Sequence, residues 1–210
     1  MDGTFKNCTK LNSISLDNIN TSNLPGLSST FFGCQSLRSL DFSSHKFNAE
    51  STLSFANAFN GCSSLESIEF PSSQVIKTSN VANMFNSCTS LSSVDLSMFD
   101  TTNVKTYNTM FAGCSSLTYL DLSSFDTSTS GLVFQKMFIQ CTSLCSIVVG
   151  DKFTFGKAVT SKLTEGMFTG CTNLVGGRGT KFDPEYTDFT YACIDQPDRQ
   201  GYFTSPVSLY

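Results

Sequence analysis

The stretch that decides the fold is GCSSLTYLDLSSFDT, Gly113–Thr127, because the chain keeps returning to it. Variants stand as GCQSLRSLDFSS from Gly33, GCSSLESIEFPS from Gly61, SCTSLSSVDLSMFDT from Ser87 and GCTNLVGG from Gly170. Aligned on Cys8, Cys34, Cys62, Cys88, Cys114, Cys141 and Cys171, the copies are separated by 26, 28, 26, 26, 27 and 30 residues. Three residues before each of these cysteines is a Phe (Phe5, Phe31, Phe59, Phe85, Phe111, Phe138, Phe168), and three after is a Leu (Leu11, Leu37, Leu65, Leu91, Leu117, Leu144, Leu174). A period of 20 to 50 residues is the mark of a stacked repeat, in which one unit cannot bury its apolar face alone and its neighbours complete the core.

Within each copy, an apolar residue follows the cysteine by six positions (Ile14, Leu40, Ile68, Val94, Leu120, Ile147) and another by eight (Leu16, Phe42, Phe70, Leu96, Leu122, Val149). Both columns fail at Gly177 and Gly179. Apolar, free, apolar is the pattern of a short half-buried strand. In DTTNVKTYNTMF, the residues Val104, Tyr107, Met110 and Phe111 recur at steps of three, three and one after a Thr/Asn start, which predicts a brief helix or 3-10 segment. The expected fold is therefore an α/β solenoid of leucine-rich-repeat type. It is a right-handed stack of about seven 26-residue units, with short parallel strands on one face and short helices or 3-10 turns on the other. The residues around His45–Ser51 and the segment 150–163 are expected to bulge as loops.

Totals narrow the function. The 13 basic and 17 acidic residues give 13 − 17 = −4, and no stretch concentrates Lys or Arg, so nucleic acid is not an expected partner. Hydrophobic residues make up 40% and there are 20 Phe, which argues against disorder. No apolar run reaches the roughly 18 residues of a membrane span, so no membrane insertion is expected. The start, MDGTFKNC, lacks a charged-then-apolar secretion signal and already lies in the repeat, so the chain reads as part of a longer precursor.

The rungs M-F-x-x-C-x-S-L-x-x-L-D-L-S-x-F-D-T resemble the BspA-like leucine-rich repeat family, over essentially the whole chain. The segment Leu174–Thr204 is similar to the glycine-rich terminal segment that closes many such arrays. The second and third units depart from the pattern after the strand, the sixth lacks the acidic residue, and Cys193 has no evident counterpart. The resemblance implies a secreted or surface-anchored solenoid used in adhesion to host proteins or other cells, without catalysis. The organisation expected is a solenoid over 1–175, an irregular C-terminal cap over 176–204, and a tail or linker over 205–210.

Nine cysteines raise the question of disulfides or metal. Seven fall in one structural column, which reads as a ladder of small buried thiols under the Phe column. Zinc needs converging ligands, whereas only Cys141 and Cys145 are close in sequence and His45 is the one histidine. A bridge involving Cys145 or Cys193 stays open, and no cofactor or metal is expected.

Chemistry is expected on the side chains pointing outward from the strands. Asp41, Glu69, Asp95 and Asp121 form a column of acids there, and Tyr119 is the aromatic beside them. Stacked like charges cost stability. Three readings stand: serine hydroxyls and water solvate the acids and discourage sheet-to-sheet aggregation, a basic protein surface meets them, or they hold calcium. Asp100 and Asp126, each followed by Thr, are expected to accept from turn amides two or three residues on.

Three functional classes remain. The first is a noncatalytic module binding a protein or glycan through the strand face and flanking loops, at the cell surface or outside the cell. The second is a spacer that holds a distal domain away from the surface, favoured by the near-uniform Ser-acid-Ser face. The third, an enzyme, lacks any group of residues in acid, base and nucleophile roles, so none is expected. An uncapped first rung, with Phe5 and Leu11, further predicts end-to-end self-association of this segment.

Overall fold

The computed structural model describes residues 2–155 and 159–206, so residues 156–158 of the expected 150–163 loop and 207–210 of the expected tail lie outside the description. Successive copies lie on one another as a parallel-strand solenoid with little helix. Its strands are β1 (Ser39–Asp41), β2 (Leu53–Ser54), β3 (Ser67–Glu69), β4 (Ile76–Asn80), β5 (Phe99–Asp100), β6 (Tyr119–Leu122), β7 (Ser146–Val149) and β8 (Phe203–Thr204). On the face predicted from the apolar alternation, β1 pairs with β3, and β6 with β7 and β7 with β8. Register keeps each column in line: Leu40 faces Ile68, Leu120 faces Ile147, and Leu122 faces Val149. A second sheet, β2-β4-β5, runs along another side.

The Phe column is one continuous stack. Adjacent rings from Phe5 to Phe168 lie 5.3–5.9 Å apart with interplanar angles of 7–17°. Because these distances exceed the strand spacing of about 4.8 Å, each ring is slid sideways over the next, the offset arrangement that the ring quadrupole prefers. From the second copy on, the Phe, Cys and Leu columns are fully buried. In the first copy Phe5 and Leu11 are half-buried and Cys8 is exposed.

The brief helix or 3-10 segment expected over Val104–Phe111 is instead a run of separate three-residue turns, with no continuous helix. The amides of Tyr107, Thr109, Phe111 and Gly113 donate across to Val133, Gln135, Met137 and Ile139 of the next copy, at 2.7–3.0 Å. Those between them, Met110, Ala112 and Cys114, donate back three residues to Tyr107, Thr109 and Phe111. Two left-handed residues per copy set this alternation. One lies five before the cysteine (Gly3, Ser29, Asn57, Asn83, Thr109, Lys136, Gly166) and one immediately before it (Asn7, Gly33, Gly61, Ser87, Gly113, Gln140, Gly170), with φ between 50° and 81° throughout. A right-handed helix cannot contain such residues in series. What helix there is comprises α1 (Ser161–Thr164) and a 3-10 turn at Phe189–Tyr191.

The thiols have a defined place in this arrangement. In each copy the Phe carbonyl accepts from its own cysteine amide, as in Cys114 N to Phe111 O at 3.0 Å. It also accepts from the thiol of the following copy, with Sγ to O distances of 3.0–3.1 Å from Cys34 to Cys171. Both carbonyl lone pairs are thereby used.

Where the strand columns fail at Gly177 and Gly179, β8 takes over. Phe203 pairs opposite Ile147 and packs on Phe168 and Phe153. The glycines allow it to lie close, since a Cβ on Gly176 would come within 2.0 Å of the Gly201 carbonyl oxygen. Buried Asp195 ties the reversal, accepting from the amides of Arg178 and Thr180 at 2.9 and 3.0 Å and from the Thr180 hydroxyl at 2.7 Å. The inserted segment around His45–Ser51 is not wholly outward: His45 is buried, its Nε2 donating to the Leu16 carbonyl at 2.9 Å, and Phe47 packs between Phe42 and Phe55.

Truncating the stack in its middle should be costly. Phe111→Ala is expected to destabilise by about 3–5 kcal/mol and Leu117→Ala by about 2–5 kcal/mol in denaturant unfolding. Burial pushes the Cys34 thiol up to about 11 and those of Cys62 and Cys171 to about 12, with Cys88, Cys114 and Cys141 driven well above their ordinary value. Iodoacetamide at neutral pH should therefore label the exposed Cys8 and Cys145 promptly, and these six only as the chain unfolds.

Candidate functional site

The strand face presents the expected acids to solvent: Asp41, Glu69, Asp95 and Asp121 are all exposed. Three of them share a local geometry that the stacked-charge argument did not foresee. Asp41 Oδ1 accepts from the Ser43 amide at 2.7 Å, Asp95 Oδ1 from Ser97 at 2.9 Å, and Asp121 Oδ1 from Ser123 at 2.8 Å. Each carboxylate thus closes its own turn at the strand end, two residues on, as an Asx turn does. Hydrogen bonds from Ser43, side chain first and then amide, hold the Asp41 carboxyl below the ordinary carboxylate range. Glu69 departs from the pattern for a covalent reason, since Pro71 two residues on has no amide hydrogen to give. The turn aspartates behave as expected: Asp100 accepts from Thr102 N at 3.0 Å, and Asp126 from Ser128 N at 3.1 Å.

The face is not uniform. Among the described residues no strand pairing reaches 92–97, so the ladder is open between β3 and β6. Val94, whose counterparts Leu120 and Ile147 are fully buried, is only half-buried. A hollow of about 390 Å³ occupies the gap, lined by Ser93, Val94, Asp95 and Ser97 on one copy and Tyr119, Asp121, Ser123 and Ser124 on the next. Tyr119 lines it and is 43% exposed, whereas the Phe column from Phe31 to Phe168 is fully buried. The structure thus brings Asp95, Tyr119 and Asp121 to one hollow and leaves Asp41 and Glu69 along the face on β1 and β3. Val148, at the strand position between the inward Ile147 and Val149 that alternation turns outward, is buried between Asp121 and Thr204 in the register of β6, β7 and β8, because β8 extends the sheet over it.

The open ladder was missed in the sequence because SLSSVDLS, residues 90–97, carries the same alternation as its neighbours. A larger hollow of about 520 Å³ lies at the joint between the 150–155 segment and the C-terminal fold-back, walled by Phe153, Phe155 and Phe189. Among the described residues, no three His, Cys, Asp or Glu side chains converge to hold a metal ion, all nine cysteines are thiols, and no helix is long and apolar enough to cross a membrane.

Because Asp95 holds a turn amide as well as a charge, its two roles separate by substitution. Asp95→Ala should lower stability by about 0.5–2 kcal/mol, as loss of a capping acceptor does. Asp95→Asn keeps an oxygen in place and should stay within about 0.5 kcal/mol of the parent in chemical denaturation.

A family profile described as "Mycoplasma protein of unknown function, DUF285" matches residues 1–94 and again 54–176. The two matches overlap over 54–94, as a repeating pattern laid on a repeating chain allows. No curated protein and no solved structure matches the chain. With its match running from residue 1 to residue 176 of the 210 and its copies stacked as described, the chain belongs to the DUF285 family.

Proposed function

We propose that this chain is a noncatalytic binding module, working at the cell surface or outside the cell. Its strand face and flanking loops hold a host protein, a glycan or a neighbouring cell. The observation that carries this reading is the irregularity of the face. A spacer needs only repetition, whereas this face opens at Val94 and sets Tyr119 beside Asp95 and Asp121 in a hollow. Rigid solenoid surfaces with one irregular patch are suited to recognition, because the repeats hold the patch still.

The repeat is read as BspA-like and leucine-rich, α/β in class, in a right-handed stack of about seven 26-residue units. The seven-membered Phe and left-handed columns support the count. The turn runs opposite the strands stand in for the short helices of that class. The open first copy, with Cys8 exposed where its six counterparts are fully buried, supports end-to-end self-association of this segment. The spacer reading is favoured by the Ser-acid-Ser uniformity of Ser39, Asp41, Ser43 and of Ser93, Asp95, Ser97.

An array of host matrix proteins and glycans probed with the chain, and with an Asp41→Asn, Asp95→Asn, Asp121→Asn triple variant, distinguishes the two. Binding by the parent that weakens at least about tenfold in the variant is the expected result. Equal binding by both removes the acidic face from the site, and no binding by either favours the spacer.

A further inference from the structure

The hollow between the Val94 and Tyr119 copies has a chemistry narrower than the face around it. Its walls carry two carboxylates, one exposed phenol ring and the hydroxyls of four serines, and no Lys or Arg lines it. Asp95 and Asp121 each spend Oδ1 on a turn amide, at 2.9 and 2.8 Å, and those bonds fix the direction of both carboxylates before any ligand arrives. Further along the face, Asp41 and Glu69 continue the negative potential. We propose that this hollow receives an arginine side chain, presented by an extended basic segment of a partner protein. The proposal rests on the binding-face reading above and names its ligand.

Arginine fits on three counts. Its guanidinium is a planar fork of five donors that matches carboxylate oxygens, and its flat face stacks on an aromatic ring. Tyr119 offers such a ring, and a cation over it is attracted by the ring quadrupole. A column of acids on a low-charge surface draws a basic segment toward the face and raises its local concentration. A neutral sugar could use the hydroxyls and the ring, but it would leave the paired carboxylates without a counter-charge. At about 390 Å³ the hollow is at the small end of ligand pockets, which run from about 300 Å³ upward, and suits one side chain with its peptide flanks.

The test is a calorimetric or NMR titration of the whole chain with an acetylated, amidated peptide of alternating Ser and Arg. The same peptide with citrulline in place of Arg keeps the shape without the charge, and maltohexaose serves as the sugar arm. The arginine peptide is expected to bind, with the citrulline peptide weaker by at least about tenfold. Asp95→Asn, Asp121→Asn and Tyr119→Ser should each weaken it about five- to tenfold, with unchanged melting temperature for the Asn variants, which keep the turn acceptor. Asp41→Asn, one end of the face away, should change it less than about twofold at physiological salt.

Equal binding of the citrulline peptide overturns the proposal, as does an Asp41→Asn loss matching that of Asp95→Asn, which would mean a diffuse field and no pocket. Binding of maltohexaose that is lost in Tyr119→Ser, with none of the arginine peptide, overturns it in favour of a sugar site. No binding of either probe overturns it as well. Array binding that survives the Asp95→Asn, Asp121→Asn double variant yet falls in the triple variant would leave the binding face standing without this pocket.

Discussion

The structure depends on a hydrogen bond that leaves the copy it starts in. Alternate amides of each turn run, Tyr107, Thr109, Phe111 and Gly113 among them, reach across to carbonyls of the next copy. Nothing inside a single 26-residue copy satisfies them. A copy alone would expose these donors as well as its Phe and Leu, so polar and apolar demands both favour the neighbour. The left-handed residue before each cysteine and the one four residues earlier turn the amides outward along the stack. Backbone conformation, hydrogen bonding and ring stacking therefore repeat with one period because each requires the others in the adjacent layer.

The thiols follow from the same constraint. A Phe carbonyl already holding its own cysteine amide still has a lone pair facing the next layer, and a small weak donor there satisfies it without bulk. A larger polar group would press on the Phe stack, and an alanine would leave the lone pair unused. Burial then makes the thiols poor nucleophiles, with Cys62 and Cys171 pushed up to about 12. Their number is thus explained by layer chemistry, with no need of bridges or metal.

The stacking was legible in the sequence because three columns, Phe, Cys and Leu, survive every change of spacing. Between a helix and 3-10 turns the sequence did not decide, because Val104, Tyr107 and Met110 recur at intervals that a helix and a series of three-residue turns share. The clue lay in the residue types at the two left-handed columns. Glycine fills four of the seven positions before the cysteine and Asn another, but Ser87 and Gln140 dilute the signal, and the earlier column admits Ser29, Thr109 and Lys136. The fold-back was half legible: Gly177 and Gly179 marked the end of the strand columns, but nothing local showed that Phe203, some 25 residues on, would supply the missing strand. Of the candidate site, Asp95, Tyr119 and Asp121 were identified individually. Their meeting at a hollow was not, because the opening of the ladder at Val94 is a property of how copies pair, invisible in a stretch that repeats its neighbours' pattern.

Regularity and recognition pull against each other in such a molecule. A perfect stack presents the same Ser-acid-Ser surface at every layer, and a ligand would find equal registers a few ångströms apart. Specific binding needs one layer to differ. Here the difference lies in strand pairing more than in residue type: the copy around Val94 keeps the common sequence pattern but leaves the sheet, while Tyr119 begins the next sheet at its exposed edge. The turn bonds of Asp95 and Asp121 keep the two sides of the opening in the same conformation as the rest of the face. The opening therefore breaks the surface without breaking the Phe, Cys and Leu columns beneath it, which remain fully buried through Phe85, Cys88, Leu91 and Phe111, Cys114, Leu117. A core that carries the load of folding from behind is what allows one patch of the front to be irregular.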